Sequence, residues 1–127
     1  MDFVHISGVD MCLSGEFASS VHENNRNLIG FYKLEENGYY SEISWYHRDW
    51  IPKIVEVLEC RLQEYQEKAE RPSLAFVNSP ECGVFACSIF RDRVLMFGGD
   101  DGHWWFTADF AAHELDGIIT NLKNYME

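Results

Sequence analysis

The chain reads as an α+β domain, an antiparallel sheet of hairpins packed against two main helices. Three observations predict it. Two segments repeat apolar residues at spacings of three and four, the period of a helix with one buried stripe. Several short runs rich in aromatic and β-branched residues are separated by Gly, Asn and Asp turn signals. The 127 residues are 46% hydrophobic and 15% aromatic, enough for one ordinary core and no more, so residues 1–127 form a single domain.

Taken in order, "DFVHI" (2–6) is a short strand. Residues 7–27 are ambiguous, and "SGEFASSVHENNRNL" is compatible with a short helix from Glu16. "IGFYKLEENGYYSEISWY" is a hairpin, because Asn37-Gly38 suits a type I′ turn, whose central residues both need positive φ. Folding about it sets Lys33 opposite Glu42. It gathers Tyr32, Leu34, Ile43 and Trp45 on the expected core face, with Tyr40, Glu42 and Tyr46 on the other. A helix is predicted over Asp49–Glu70, with Asp49 as N-cap, Pro52 in the first turn and Pro72 as its stop. Its stripe is Ile51, Val55, Leu58, Leu62, Tyr65 and Ala69, with Glu64 and Lys68 as an i,i+4 pair on the wet side. Four strand-like runs follow: "SLAFVN", "GVFACSIF", "RVLMF" and "HWWFT". The second is apolar on both faces and reads as a central strand. A last helix is expected over Asp109–Tyr125, with Leu115, Ile118, Ile119, Leu122 and Tyr125 on one side.

The candidate chemistry centres on "MFGGDDGHWWF", Met96 to Phe106. A hairpin turn within Gly99–Gly102, centred on Asp100-Asp101 or on Asp101-Gly102, explains the glycines. Trp104 and Trp105 then face opposite ways, Trp104 with Phe106 toward the core and Trp105 with Thr107 outward. The loop lacks the Lys-Ser/Thr of a P-loop and the acid spacing of an EF-hand. "HELDG" (113–117) begins like a zinc-binding H-E-x-x-H helix, but Gly117 stands where the second His belongs, and Glu114 suits the positive end of a helix dipole instead. Cys12, Cys60, Cys82 and Cys87 show no C-x-x-C spacing and read as reduced thiols. No metal, no cofactor and no catalytic constellation is expected.

Charge narrows the partners. There are 21 acids against 10 bases, a net −11, with ten acids in residues 1–60 and eleven in 61–127. An acidic surface on all sides opposes binding to nucleic acid or anionic membrane. It suits a basic protein partner reached by electrostatic steering. The first residues show no secretory signal and no apolar run approaches a membrane span, so a cytoplasmic location is expected. Two acidic-aromatic tips are the predicted partner-binding residues: Asp100, Asp101, His103 and Trp105 on one, Glu35, Glu36 and Tyr40 on the other.

With "GGDDGHWWFTADFAAHELDGIITNL", a Gly/Asp turn followed by an aromatic strand and an amphipathic helix, the small acidic profile resembles the bacterial immunity proteins of contact-dependent growth inhibition and other polymorphic toxin systems. That resemblance implies a non-enzymatic antidote that covers the active site of a basic toxin domain, many of them nucleases. Two other readings stand beside it. One is a secretion chaperone for an effector protein. The other is a small acid–base enzyme or ligand-binding domain using Asp100, Asp101 and His103.

Overall fold

A computed structural model describes residues 2–6, 9–22, 24–69, 76–77, 85–100 and 103–126; for residues 2–6, 9–14, 68–69, 76–77, 97, 99–100 and 103–109 it describes the backbone course. The fold is α+β, with antiparallel hairpins and two helices. The strands divide into two sheets. In the first, β1 (Asp2–Ile6), β2 (Val9–Ser14), β3 (Phe17–Val21), β4 (Leu28–Leu34) and β5 (Tyr40–His47) follow one another in space as in sequence. In the second, β6 (Phe76–Val77), β7 (Phe85–Phe90), β8 (Arg93–Asp100) and β9 (His103–Ala111) do the same. Helix α1 (Ile51–Ala69) stands between the two meanders in the chain, and α2 (Leu115–Lys123) follows the second. α1 packs chiefly on β7, α2 on β2 and β3, and the helices pack on each other.

Five aromatic rings join the sheets. Phe110 lies edge-on to Phe17 at 5.5 Å, Phe17 to Phe31 at 5.4 Å, Phe31 meets Tyr46 at 5.1 Å, and Tyr46 meets Phe85 at 6.3 Å. These rings, with Ile29, Ile51, Ile54, Leu58, Ile89, Val94, Met96, Leu115 and Ile118, form one buried core. Each fully buried large side chain contributes on the order of 1.5–3 kcal/mol. Strand alternation selects them: Phe85, Cys87 and Ile89 of β7 are fully buried, whereas Phe90 is half exposed.

Several local expectations change. Residues 9–21 are two strands joined by a Gly15–Glu16 turn, not a helix from Glu16. The short side chains of "FASSV" hide the period, but Phe17 and Ser19 face inward and Gly15 takes a φ of +58° that marks the turn. The β4–β5 hairpin does turn at Asn37-Gly38, yet with a three-residue loop, Glu36 to Gly38. Gly38 N–H donates to the Glu35 carbonyl, Glu35 N–H donates to the Tyr39 carbonyl, and only Gly38 has positive φ, at +85°. This is a type I turn followed by a left-handed glycine. Leu34 therefore pairs with Tyr40, Lys33 with Ser41, and Tyr32 with Glu42.

The core face shifts with it, so that Ile29, Phe31 and Tyr46 are buried, whereas Tyr32 and Trp45 share the other face, 5.9 Å apart. A bulge between Phe31 and Tyr32 lets Ile43 pack on the same core as Tyr46, although strict alternation would separate residues three apart.

At the start of α1, Asp49 is not the cap. A 3-10 turn, Arg48–Trp50, comes first, and His47 Nδ1 accepts the Asp49 N–H at 3.2 Å. Along α1 the buried stripe is wider than expected, because the helix lies between β7 and α2: Ile54, Val57 and Arg61 are buried with Ile51, Val55 and Leu58. Glu64 pairs with Arg61 at 2.7 Å. Its end at Glu70 and its stop at Pro72 lie outside the described residues. α2 starts at Leu115 rather than Asp109, since β9 continues to pair through Ala111 and so carries Phe110 into the core.

Candidate functional site

Three turns meet at one end of the molecule. The Gly15–Glu16 turn is held from two sides. Glu114, on the 3-10 turn that leads into α2, accepts the Glu16 N–H with both carboxylate oxygens, at 3.1 and 3.2 Å. Tyr40 donates its hydroxyl to the Gly15 carbonyl at 2.6 Å. The Glu16 carboxylate lies 3.5 Å from the Arg93 guanidinium on β8. The Asp92 carbonyl accepts the Ala112 N–H at 2.6 Å. Burial raises the Tyr40 hydroxyl pKa, and the Glu114 charge raises it further. Tyr40 is thus a strut between β5 and the Gly15 turn. Nothing in the sequence marked Glu114 as its counterpart, because the two are joined only by tertiary folding.

Beyond that junction the β4–β5 loop projects into solvent. Glu35, Glu36 and Tyr39 are exposed, Tyr39 at 73% of its surface. The loop is internally tied: Asn37 Oδ1 accepts the Tyr39 N–H at 3.0 Å, and Ser41 Oγ donates to the Glu35 carboxylate. The exposed aromatic is therefore Tyr39, one position before the residue that the sequence suggested. The extra residue of the loop shifts the register by one, so that Tyr40 pairs with Leu34 rather than with Glu35. On the outer face of the second sheet at the same end, Phe90 is 51% exposed, with the Arg91 guanidinium 5.2 Å above its ring. Arg91 itself has a φ of +55°.

The other acidic tip is elsewhere. Asp100 pairs with His103, which frames a two-residue connection at Asp101-Gly102, the second of the two frames considered; Asp101 and Gly102 lie outside the described residues. The register shifts at Gly98/Gly99, leaving Trp105 as the extra residue of a bulge. Trp104 takes the position opposite Gly99 and Phe106 the one opposite Gly98, so the alternation that would group Trp104 with Phe106 is broken. Arg93 and Asp100 are the two ends of β8, seven residue steps or ~23 Å apart. The fold therefore brings Glu35, Glu36 and Tyr40 together at one end and sets Asp100, His103 and Trp105 at the other.

Of the other candidates, Cys82 and the Cys12 side chain lie outside the described residues. Among the described residues no group of three His, Cys, Asp or Glu side chains could hold a metal. His113 is exposed, and Glu114 is committed to the Glu16 N–H. The Cys87 thiol is fully buried and pushed up to about 12 by burial, with the Arg61 charge pulling the other way, so it is not a nucleophile near neutrality. A polar groove of about 270 Å³ between α1 and α2 is crossed by the Lys123–Glu59 pair at 3.2 Å. Among the described residues no helix is long and apolar enough to cross a membrane. No protein-family model, curated protein or solved structure matches the chain.

Proposed function

We propose that this protein is a non-catalytic immunity protein: it binds a basic toxin domain, a nuclease by class, and blocks its active site. The observation that carries this reading is the β4–β5 loop, where an exposed Tyr39 stands beside Glu35 and Glu36 on a chain of net charge −11. A nuclease cleft is lined with cations that meet phosphates, and fixed carboxylates can occupy the same places. An aromatic ring held on a tied loop costs little entropy on binding, which is the usual chemistry of a hot spot. Asp100, Asp101, His103 and Trp105 are the second candidate partner-binding group. Steering by net charge accelerates association with a basic partner and fades as salt rises.

The test is protection. The toxin domain that co-purifies with this protein from its source cell is expressed in a sensitive host. Growth should be rescued by the wild-type chain and lost with Glu35→Lys/Glu36→Lys. Tyr39→Ala should raise the off-rate by the equivalent of about 2 kcal/mol or more. If no basic partner is recovered, or if variants of both tips protect as well as wild type, the reading is wrong.

A further inference from the structure

Of the seven asparagines in the chain, Asn37 alone is followed by glycine, and it stands at the exposed apex of the β4–β5 loop. We propose that Asn37 is a site of spontaneous deamidation, which turns the Glu35-Glu36-Asn37 apex into three consecutive carboxylates. The inference does not depend on the function proposed above.

The chemistry needs an accessible nucleophile, a polarised carbonyl and water. The nucleophile is the Gly38 backbone nitrogen. Gly38 has no side chain to obstruct ring closure, and a Cβ built there would meet nothing within 4 Å. The carbonyl is that of the Asn37 side chain, whose Oδ1 already accepts the Tyr39 N–H at 3.0 Å. When Gly38 N attacks Asn37 Cγ, negative charge collects on that oxygen, where a donor is already aimed at it. The proton from Gly38 N passes through water to the Asn37 amide nitrogen. The Cγ–Nδ2 bond breaks, ammonia leaves, and a five-membered succinimide remains. Water then opens the ring. Cleavage between Cγ and the Gly38 nitrogen gives aspartate; cleavage between the Asn37 backbone carbonyl carbon and that nitrogen gives isoaspartate. One water enters and one ammonia departs, with no oxidant or reductant.

One contact opposes the reaction. The Gly38 N–H donates to the Glu35 carbonyl at 3.0 Å, so attack proceeds from loops in which that turn bond has opened. The rate is set by local opening of the tip, not by global unfolding. None of the other six asparagines precedes glycine: Asn24, Asn25, Asn27, Asn121 and Asn124 precede Asn, Arg, Leu, Leu and Tyr, whose side chains crowd the attacking nitrogen, Asn121 is also buried in α2, and Asn78 precedes Ser, whose side chain is small but still larger than that of glycine.

The experiment uses the folded full-length chain held in neutral buffer at physiological temperature, with samples digested by trypsin over time. Cleavage after Lys33 and Arg48 releases residues 34–48, in which Asn37 is the sole asparagine. Mass spectrometry should show the amide-to-acid mass gain in this peptide before any other asparagine-containing peptide. Chromatography should resolve it into aspartate and isoaspartate forms. Asn37→Gln should remove the gain and the accompanying acidic band on native isoelectric focusing. If residues 34–48 stay unchanged while the urea-unfolded chain converts, the turn bond locks the loop and the proposal fails. Earlier conversion at another asparagine would overturn it equally.

Discussion

Gly15→Ala tests the junction at the three-turn end. A Cβ at position 15 would collide with Glu114 Oε1, and the φ of +58° is one that L side chains rarely adopt. The carboxylate is the far end of a flexible side chain, so it swings away and the Glu16 N–H loses its acceptor. Two losses then add. The left-handed backbone costs about 1–2 kcal/mol for a non-glycine residue. A hydrogen bond to a charged acceptor contributes about 1.5–3 kcal/mol, less here because Glu114 and Glu16 are only partly buried. The expected total is about 2–4 kcal/mol. With a urea m-value of about 2 kcal/mol/M the unfolding midpoint falls by roughly 1–2 M. Urea titration followed by tryptophan fluorescence reads this directly. In a Glu114→Ala background Gly15→Ala should cost only the backbone part. An equal cost in both backgrounds would show that Glu114 does not hold the turn.

Leu58→Ala should destabilise by about 2–5 kcal/mol, because Leu58 is fully buried in the α1 stripe; a change within error in urea titration would mean that the stripe does not face the core. A water-soluble thiol reagent should label Cys60, which is exposed, and leave Cys87 unmodified until the protein unfolds. The Cys87 thiol also sets an alkaline limit. Its folded pKa of about 12 lies above the ordinary 9.0, so its contribution is fully present below 9.0 and is lost as pH rises toward 12. Cys87→Ala should flatten that part of the stability–pH curve.

The segments with strong period were legible in the sequence. The Ile51, Val55, Leu58 stripe and the Leu115, Ile118, Ile119, Leu122 stripe are buried as their spacing predicts, and Asn37-Gly38 does turn a hairpin. The misread places are those where tertiary structure overrides a local rule. The three-residue loop at Glu36–Gly38 differs by one residue from a two-residue turn, and that one residue shifts the pairing of Tyr40 from Glu35 to Leu34. Bulges at Ile43 and Trp105 break the alternation on which face assignments rest. Residues 17–21 lack a readable period because Ala18, Ser19 and Ser20 give little apolar contrast, and pairing with β4 decides their conformation. Glu114 and Gly15, 99 positions apart, could be joined only by the fold.

The separation of the two acidic tips has a consequence for how a partner is held. Phe17 meets Phe110 at one end of the stacked sheets, and Tyr46 meets Phe85 at the other. The Glu35–Tyr39 loop continues past the first end, whereas Asp100 and His103 close the hairpin past the second. The ~23 Å between the ends of β8 is about three Debye lengths at physiological salt. Charges at the distant tip are then screened from a partner seated at the other, but at low salt both contribute to the field that steers encounter. Glu35→Lys/Glu36→Lys and Asp100→Lys/Asp101→Lys should therefore both slow association at low ionic strength. Near physiological salt only the tip in contact should still matter, and only its aromatic, Tyr39 or Trp105, should change the off-rate. Stopped-flow association and competition dissociation at two salt concentrations separate these cases. If Tyr39→Ala and Trp105→Ala each accelerate dissociation strongly, the partner grips both ends. It must then wrap the domain with an interface well beyond the standard area of about 800 Å² per partner, and plugging of a single cleft by one loop is the wrong picture.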